Sequence, residues 1–279
     1  MDPYAFTKEG IQQFIDERFA FYSAVTKHLG VKPTVSIFHD GGDPASDTYV
    51  RNKLKRFEVY GIDTHFADYA KLNHPSFVQQ PTRDENKRVL TSAQWQQNDV
   101  EGFAPTDIVR QWQKDPLALW PCTCRGIFEH LEWVLKHYTC QAMTPDDKEG
   151  YDGVHKPHVV ILGRSKLVGE PLSRLLLQHD YTVSVIHSKT TRKTKLELLY
   201  AADVIVCATG NRGVLEDFVP FVPVYDVGTN FVDGKLCGDV TDANKEMHWC
   251  AVTPVPGGVG KLTVEALCWN IIDWYLRQM

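Results

Sequence analysis

At 279 residues, with 43% hydrophobic and 23% charged side chains, the chain is long enough to bury a sizeable core and to form two domains. Its net charge of −5 argues against a general nucleic-acid surface and leaves only local basic patches to meet anionic ligands. No apolar run approaches membrane-spanning length, and Met1–Gly10 lacks the basic flank and apolar centre of a signal peptide, so a cytoplasmic protein is expected.

In chain order, Ile11, Phe14, Ile15, Phe19, Tyr22, Val25 and Leu29 recur at intervals of three and four, which predicts an amphipathic first helix ending at Gly30. Thr34–Phe38 reads as a strand, and His39–Ser46, rich in Gly and Asp, as the turn that feeds a second helix over Thr48–Tyr60. Tyr49 and Lys53 stand at i and i+4 on that helix, so both project from one face. Arg51, Lys55 and Arg56 make it basic, and a solvated face with Tyr49 half buried is the plain alternative. From Gly61 to Phe103 the pattern is thin: Phe77–Pro81 reads as a short strand stopped by proline, and Ser92–Gln97 as a weak helix. Within Trp120–Tyr138, Pro and Thr precede Ile127, Leu131, Val134 and Leu135, the pattern of a connecting helix. The seven cysteines are scattered from Cys122 to Cys268, which fits reduced thiols. Cys122 and Cys124 form the one close pair, with no second pair at zinc spacing, so small buried or turn residues are expected there and no metal site. Gln141–Pro157, with its Pro, Asp and Gly content, is the clearest linker.

The second half is organised around His158–Thr190. His158–Leu162 is a short apolar run, Gly163, Arg164 and Ser165 break it, Val168–Gln178 has helical spacing, and Tyr181–Ile186 alternates as a strand. Such a βαβ unit implies a parallel sheet, with small residues and free backbone N–H groups above the carboxyl end of its first strand. Phosphate suits that place, although Gly163 and Gly169 do not satisfy G-x-G-x-x-G. A free ribose 2′-hydroxyl usually meets a carboxylate about 20 residues after the glycines. Here His187, Ser188, Lys189 and Thr190 hold that position, and no carboxylate occurs from Tyr181 to Lys195. With the planar fork of Arg164 available to a phosphate, NADP is favoured over NAD, and ordinary polar loop ends are the alternative. A helix over Lys195–Ala202 follows, then a buried strand over Asp203–Cys207 ending in Ala208, Thr209 and Gly210. A further strand over Val222–Val227 is closed by Gly228, Thr229 and Asn230, and small residues at each strand end suit a cofactor lying across the sheet's carboxyl edge. Asp233-Gly234 marks a hairpin within Phe231–Cys237. Ala251–Gly260 is a rigid, glycine-rich loop, and the helix after it carries Val264, Leu267, Cys268, Ile271, Ile272 and Tyr275 on one apolar stripe that must dock.

Together, YVRNKLK at Tyr49–Lys55, VQQP at Val78–Pro81, DVEGF at Asp99–Phe103, PCTCRG at Pro121–Gly126, GRSKLVGEP at Gly163–Pro171, HSKT at His187–Thr190, DVGTN at Asp226–Asn230, VDGKLCGDV at Val232–Val240 and TPVPGGVG at Thr253–Gly260 resemble the methylenetetrahydrofolate dehydrogenase/cyclohydrolase family. The matches cover most of the chain, more densely after Pro121. The resemblance implies an α/β fold of two domains. One is an α/β catalytic, folate-binding domain over residues 1–136, completed by the C-terminal helix over 261–279; the other is a Rossmann-like, parallel-sheet NADP-binding domain over 137–260. It also implies two reactions, NADP-dependent oxidation of 5,10-methylenetetrahydrofolate to the 5,10-methenyl form and hydrolysis of that product to 10-formyltetrahydrofolate. The implied partner is tetrahydrofolate, polyglutamylated forms included, and the implied assembly is a homodimer.

The roles carried over follow the motifs. Lys53 matches the family's lysine for the hydrolytic step, Tyr49 and Gln79 the residues that orient it, and Ser46 a position beside it. Glu101 falls where the family ordinarily has the aspartate that holds the pterin's amino edge, and Pro254, Gly257 and Gly258 match a substrate-binding loop. The cofactor contacts implied after the first strand are Gly163, Arg164, Ser165, Val168 and Gly169. His187 and Ser188 follow the second, with Arg164 and Ser188 on the 2′-phosphate. Ala208, Thr209, Gly210, Gly228 and Thr229 close the later strands, and Thr263 stands in the last helix. The chain departs from the family in a shorter interval between Tyr49 and Gln79, a longer loop at Gln141–Pro157, and Lys261 in place of the proline that commonly follows GGVG. That lysine is read as either a solvent-facing side chain or a ligand contact. Two other functions are kept beside the main one: a dehydrogenase without the second step, and a non-catalytic folate- or nucleotide-binding protein, which the retained Tyr49, Lys53 and Gln79 argue against.

Overall fold

A computed structural model describes residues 3–38, 44–66, 76–78, 98–138, 156–242 and 251–279, with backbone alone at 44–49, 76–78 and 138. The chain divides into two units, Met1–Ile15 with Thr123–Thr263, and Asp16–Cys122 with Val264–Met279. Helix α1 (Lys8–His28) supplies residues to both. The expected helix over Ser92–Gln97, the expected strand Phe77–Pro81 beyond Val78, and the linker as far as residue 155 lie outside the described residues.

In the unit containing Asp16–Cys122, β1 (Thr34–Phe38) is the central strand of a parallel sheet ordered β2-β1-β3, flanked by β2 (Asp63–Phe66) and β3 (Ser76–Val78). The crossover is α2 (Pro44–Val59), which begins before Thr48 and takes Ser46 out of the expected turn. Pro44 explains the early start, since the first helical position needs no N–H and favours proline's fixed φ. Strand β2 escaped the sequence reading because it is short and mostly exposed, so no apolar alternation marks it. Helix α3 (Pro105–Trp112) escaped for a different reason: Asp107 and Gln111 are its buried residues, while Ile108, Val109 and Trp112 are exposed. Its polarity is inverted relative to the usual amphipathic pattern.

The other unit holds the Rossmann-like sheet. Helix α4 (Cys122–Tyr138) leads to β4 (His158–Leu162), α5 (Gly169–Gln178), β5 (Thr182–Ile186), α6 (Arg192–Tyr200), β6 (Val204–Cys207) and β7 (Val224–Asp226). All four strands are parallel, in the order β5-β4-β6-β7. Because β5 lies on one side of β4 and β6 on the other, the order reverses at β4/β6, and in such sheets ligands bind beyond the carboxyl ends of the strands at that point. β4 and β6 are almost wholly buried, which is why they read as continuous apolar runs. Helix α6 starts at Arg192 instead of Lys195, since the Thr191 side chain caps it by accepting from the Thr194 N–H. The hairpin of β8 (Asn230–Val232) and β9 (Lys235–Cys237) turns on Asp233 and Gly234 at φ 49° and 74°, the left-handed pair such a two-residue turn requires. Helix α7 (Val259–Leu276) closes the chain; it is buried continuously from Val264 to Ile272, so the apolar stripe is docked.

Candidate active site

On α2 and the residue that follows it, Val50, Lys53, Phe57 and Tyr60 recur at three and four and are all buried, whereas Arg51, Lys55 and Glu58 are exposed. The basic character of this helix therefore splits by face. Lys55 is solvated, while Lys53, only 8% exposed, sits on the apolar side. Burial holds the Lys53 amine below the ordinary lysine range, with the charges of Glu101 and Cys122 opposing that shift. Tyr49 lies one turn earlier on the same helix backbone. The side chains of Ser46 and Tyr49, and all of Gln79, fall outside the described residues, so of the three catalytic assignments the structure places only Lys53 with its surroundings.

Glu101 is presented by a turn built on Asp99. One Asp99 oxygen accepts the Glu101 N–H at 2.8 Å, and the other accepts those of Phe103 at 2.7 Å and Ala104 at 2.8 Å. Gly102, at φ +79°, completes the turn, where a Cβ would lie 2.5 Å from the Trp120 carbonyl carbon. Burial and the neighbouring Glu101 charge push the Asp99 carboxyl up to about 8, against three N–H donors that favour its anion. In the sequence Asp99 appears only as the first residue of DVEGF, although an aspartate two residues before a Glu-Gly pair is a recognisable signal for a side-chain-stapled turn.

Helix α7 braces both elements. Glu265 accepts from Arg56 Nη2 at 2.9 Å and from the Tyr60 hydroxyl at 2.9 Å, and that hydroxyl accepts the Trp269 indole N–H at 3.0 Å. The ion pair thus anchors α2 three residues after Lys53. One turn further along α7, Asn270 Nδ2 donates to the carbonyls of Val100 at 2.7 Å and Trp120 at 3.0 Å, gripping the turn that carries Glu101. Arg277 pairs with Asp107 of α3 at 2.9 Å, and Gln111 Nε2 bonds the carbonyls of Gly102 and Leu119. The Asp107 carboxylate and Gln111 Nε2, on the inward side of α3, thus have partners, which explains why polar residues occupy its buried face.

In the sheet unit, two glycines shape the turn after β4. A Cβ on Gly163, whose φ is +117°, would stand 2.3 Å from the Ala208 carbonyl oxygen, and one on Gly169 would stand 2.1 Å from that of Gly163. Arg164 and Ser165 are exposed in this turn, with the Ser165 hydroxyl accepting the Val168 N–H at 3.1 Å. Leu162 and Ile186 are partners in register, so Arg164 and Ser188 each lie two residues beyond adjacent strand ends. Ser188 is exposed there, and the His187–Thr190 turn is closed by the Thr190 hydroxyl accepting the His187 N–H. An exposed arginine, serine and Lys189 with no carboxylate form a donor set that fits the 2′-phosphate of NADP. Thr229 is exposed and Gly228 buried after β7. Thr253 donates its N–H to Val224, Gly258 packs against the Pro254 carbonyl, and Gly257 has φ +107°. The Thr263 hydroxyl donates to the Val259 carbonyl, and Lys261 is exposed and donates to Gln12 at 2.7 Å.

Residues 121–279 match the family profile described as the NAD(P)-binding domain of tetrahydrofolate dehydrogenase/cyclohydrolase. The bifunctional protein FolD of Lactobacillus helveticus is 36% identical, with 90% of each chain covered. Among solved structures, the bifunctional FolD methylenetetrahydrofolate dehydrogenase/cyclohydrolase of Campylobacter jejuni superposes with a TM-score of 0.78 at 26% identity, covering 98% of this chain and 99% of that one. The Trypanosoma brucei FolD, solved with NADP cofactor and inhibitor, gives 0.74 at 25% identity, with 97% and 96% covered. The profile match over residues 121–279 and 36% identity over 90% of the chain show that it belongs to the tetrahydrofolate dehydrogenase/cyclohydrolase family.

Proposed function

We infer that the protein oxidises 5,10-methylenetetrahydrofolate with NADP and hydrolyses the 5,10-methenyl product to 10-formyltetrahydrofolate. The observation that carries the second step is the buried lysine: an amine on the apolar face of α2, its pKa lowered by burial, gives up its proton more readily than an ordinary lysine. NADP, when bound, accepts the hydride in the first step. That step needs positioning more than proton transfer, because its product is a cation. In the second step Lys53, as neutral amine, takes a proton from the water that attacks the methenyl carbon. The ammonium then protonates the departing ring nitrogen as the hydroxyl becomes the formyl carbonyl, and one proton is released overall. Tyr49 and Gln79 are assigned to orient the amine, with Ser46 beside it.

Glu101 is assigned to the pterin's amino edge, and Pro254, Gly257 and Gly258 to the substrate. The folate-binding role goes to residues 1–136 with 261–279, and the NADP-binding role to 137–260, apart from that loop. Arg164 and Ser188 are assigned to the 2′-phosphate, with Gly163, Ser165, Val168, Gly169, His187, Ala208, Thr209, Gly210, Gly228, Thr229 and Thr263 as the remaining cofactor contacts. A cytoplasmic homodimer acting on polyglutamylated folate completes the reading. The five described cysteines are free thiols, which supports a reducing compartment, and among the described residues no helix is long and apolar enough to cross a membrane.

The test is a spectrophotometric assay of purified protein with 5,10-methylenetetrahydrofolate and NADP, following methenyl and NADPH absorbance separately. Both should rise and the methenyl signal should then decay faster than in buffer. NADPH without accelerated decay would leave a dehydrogenase alone, and neither signal would leave a binding protein.

A further inference from the structure

We propose that Asp239 is a positioning residue for NADP, fixing the Thr209–Gly210 loop at the end of β6 in the shape that receives the cofactor. The inference rests on the functional reading above and gives a role to the VDGKLCGDV segment. Asp239 is 0% exposed. Its Oδ2 accepts the Thr209 N–H at 2.8 Å, the Thr209 hydroxyl at 2.8 Å and the Gly210 N–H at 3.0 Å, and its Oδ1 accepts from Asn230 Nδ2 at 2.9 Å. Asp239 is in turn held by Asp226, whose Oδ1 accepts the Asp239 N–H at 2.7 Å and whose own N–H donates to the Thr253 hydroxyl at 2.8 Å. The ends of β6, β7 and the hairpin are thereby tied to one carboxylate pair.

Two glycines are required to make room for it. A Cβ on Gly228 would lie 1.9 Å from Asp239 Oδ1, and one on Gly238 would lie 1.8 Å from Asp226 Oδ2. The arrangement is not itself a ligand contact, because Asp239 is fully buried and both its oxygens are already occupied. Its effect is transmitted through the loop. With its N–H turned to Asp239, Gly210 adopts φ +67° and meets nothing within 4 Å on the side where a Cβ would point. The residue before the loop, Ala208, places its carbonyl oxygen where a Cβ on Gly163 would come within 2.3 Å. Any movement of 208–210 therefore changes the room in the glycine turn after β4, at the switch point of the sheet.

Asp239→Ala leaves the Thr209 and Gly210 N–H groups without their acceptor, so the loop should relax. Calorimetric titration without folate should show NADP affinity weakened by about tenfold or more, with the KM for NADP rising in parallel. Methenyl hydrolysis, which uses no cofactor, should stay within about twofold of the parent, whereas general loss of structure would lower it as well. Parent-like NADP affinity, or equal loss of both activities, overturns the proposal. If Asp239→Ala does not fold, Asp239→Asn decides, since it keeps the shape and one acceptor oxygen: a rise of about threefold in the NADP Kd is expected, and an unchanged Kd overturns the idea. A parent that binds NADP but turns over no folate would refute the functional reading alone, and the titration would still judge Asp239.

Discussion

Lys53 and Lys55 are two residues apart on α2, yet one lies on the buried stripe and the other in solvent. Burial holds the Lys53 pKa below the ordinary lysine range. Lys53→Met is expected to abolish methenyl hydrolysis above the buffer rate while leaving measurable hydride transfer, so methenyltetrahydrofolate accumulates. Lys55→Met should alter neither rate; parent-like hydrolysis by the Lys53 variant would make this lysine a bystander. Glu101 acts on the same group from the other direction, since its negative charge raises the Lys53 pKa. In Glu101→Gln the amine should therefore become neutral at lower pH, and the acid limb of the hydrolysis profile should move down. The same variant should raise the folate KM by about tenfold to a hundredfold through loss of a charge-assisted hydrogen bond, with NADP binding intact. An unmoved profile with an unchanged KM would separate Glu101 from both roles. For the cofactor, Arg164→Ala should weaken NADP far more than NAD; equal losses in cofactor titrations would remove the 2′-phosphate assignment.

At the scale of elements, α7 is the brace on which α2 and the Glu101 turn depend. Glu265 is 3% exposed, and its cation, Arg56, comes from a helix 209 positions earlier in the chain. Arg56 is half-buried and Glu265 buried, so removing the cation leaves a carboxylate that keeps its desolvation penalty. Arg56→Met should lower the unfolding free energy by about 3 kcal/mol, read as a reduced urea midpoint at unchanged slope. A shift within about 0.5 kcal/mol would mean that Tyr60 alone satisfies the Glu265 carboxylate. Element boundaries follow equally local causes: Pro44 draws α2 forward, and the Thr191 cap draws α6 forward.

At the scale of the whole molecule, pH acts on stability through buried groups of opposite sense. His130 is enclosed by Phe6, Phe14, Trp133 and Tyr225. Its Nε2 faces the Ala5 carbonyl, which can only accept, so that nitrogen carries the proton and Nδ1 accepts from the Tyr225 hydroxyl at 2.7 Å. Burial depresses its pKa from 6.5 to about 4. The unfolded chain then binds more protons between those values, so stability falls as pH drops from 6.5 toward 4, by about 3 kcal/mol in full. Asp99, raised from 3.8 to about 8, works the other way, its contribution declining as pH rises between those values. The difference between the parent and His130→Gln cancels the Asp99 term. It should shrink as urea unfolding is repeated from pH 7 down to pH 4.5, and a constant difference would mean that the imidazole is not held neutral.

The sequence by itself determined what lies within a few residues of its own cause. The apolar runs of β4 and β6, the glycine turn at Gly163, the Asp233-Gly234 hairpin and the i, i+4 placement of Tyr49 and Lys53 all rest on contiguous residues. Only the tertiary structure decided which polar groups lose water and who compensates them. The inward face of Lys53, the inverted helix α3, the Arg56–Glu265 pair and the bonds from Asp239 to Thr209, 30 positions away, depend on partners from distant elements. Hydrophobic periodicity reports burial of apolar side chains alone. A buried charge becomes tolerable only through the partner that folding brings to it, and that pairing leaves no periodic trace in the chain.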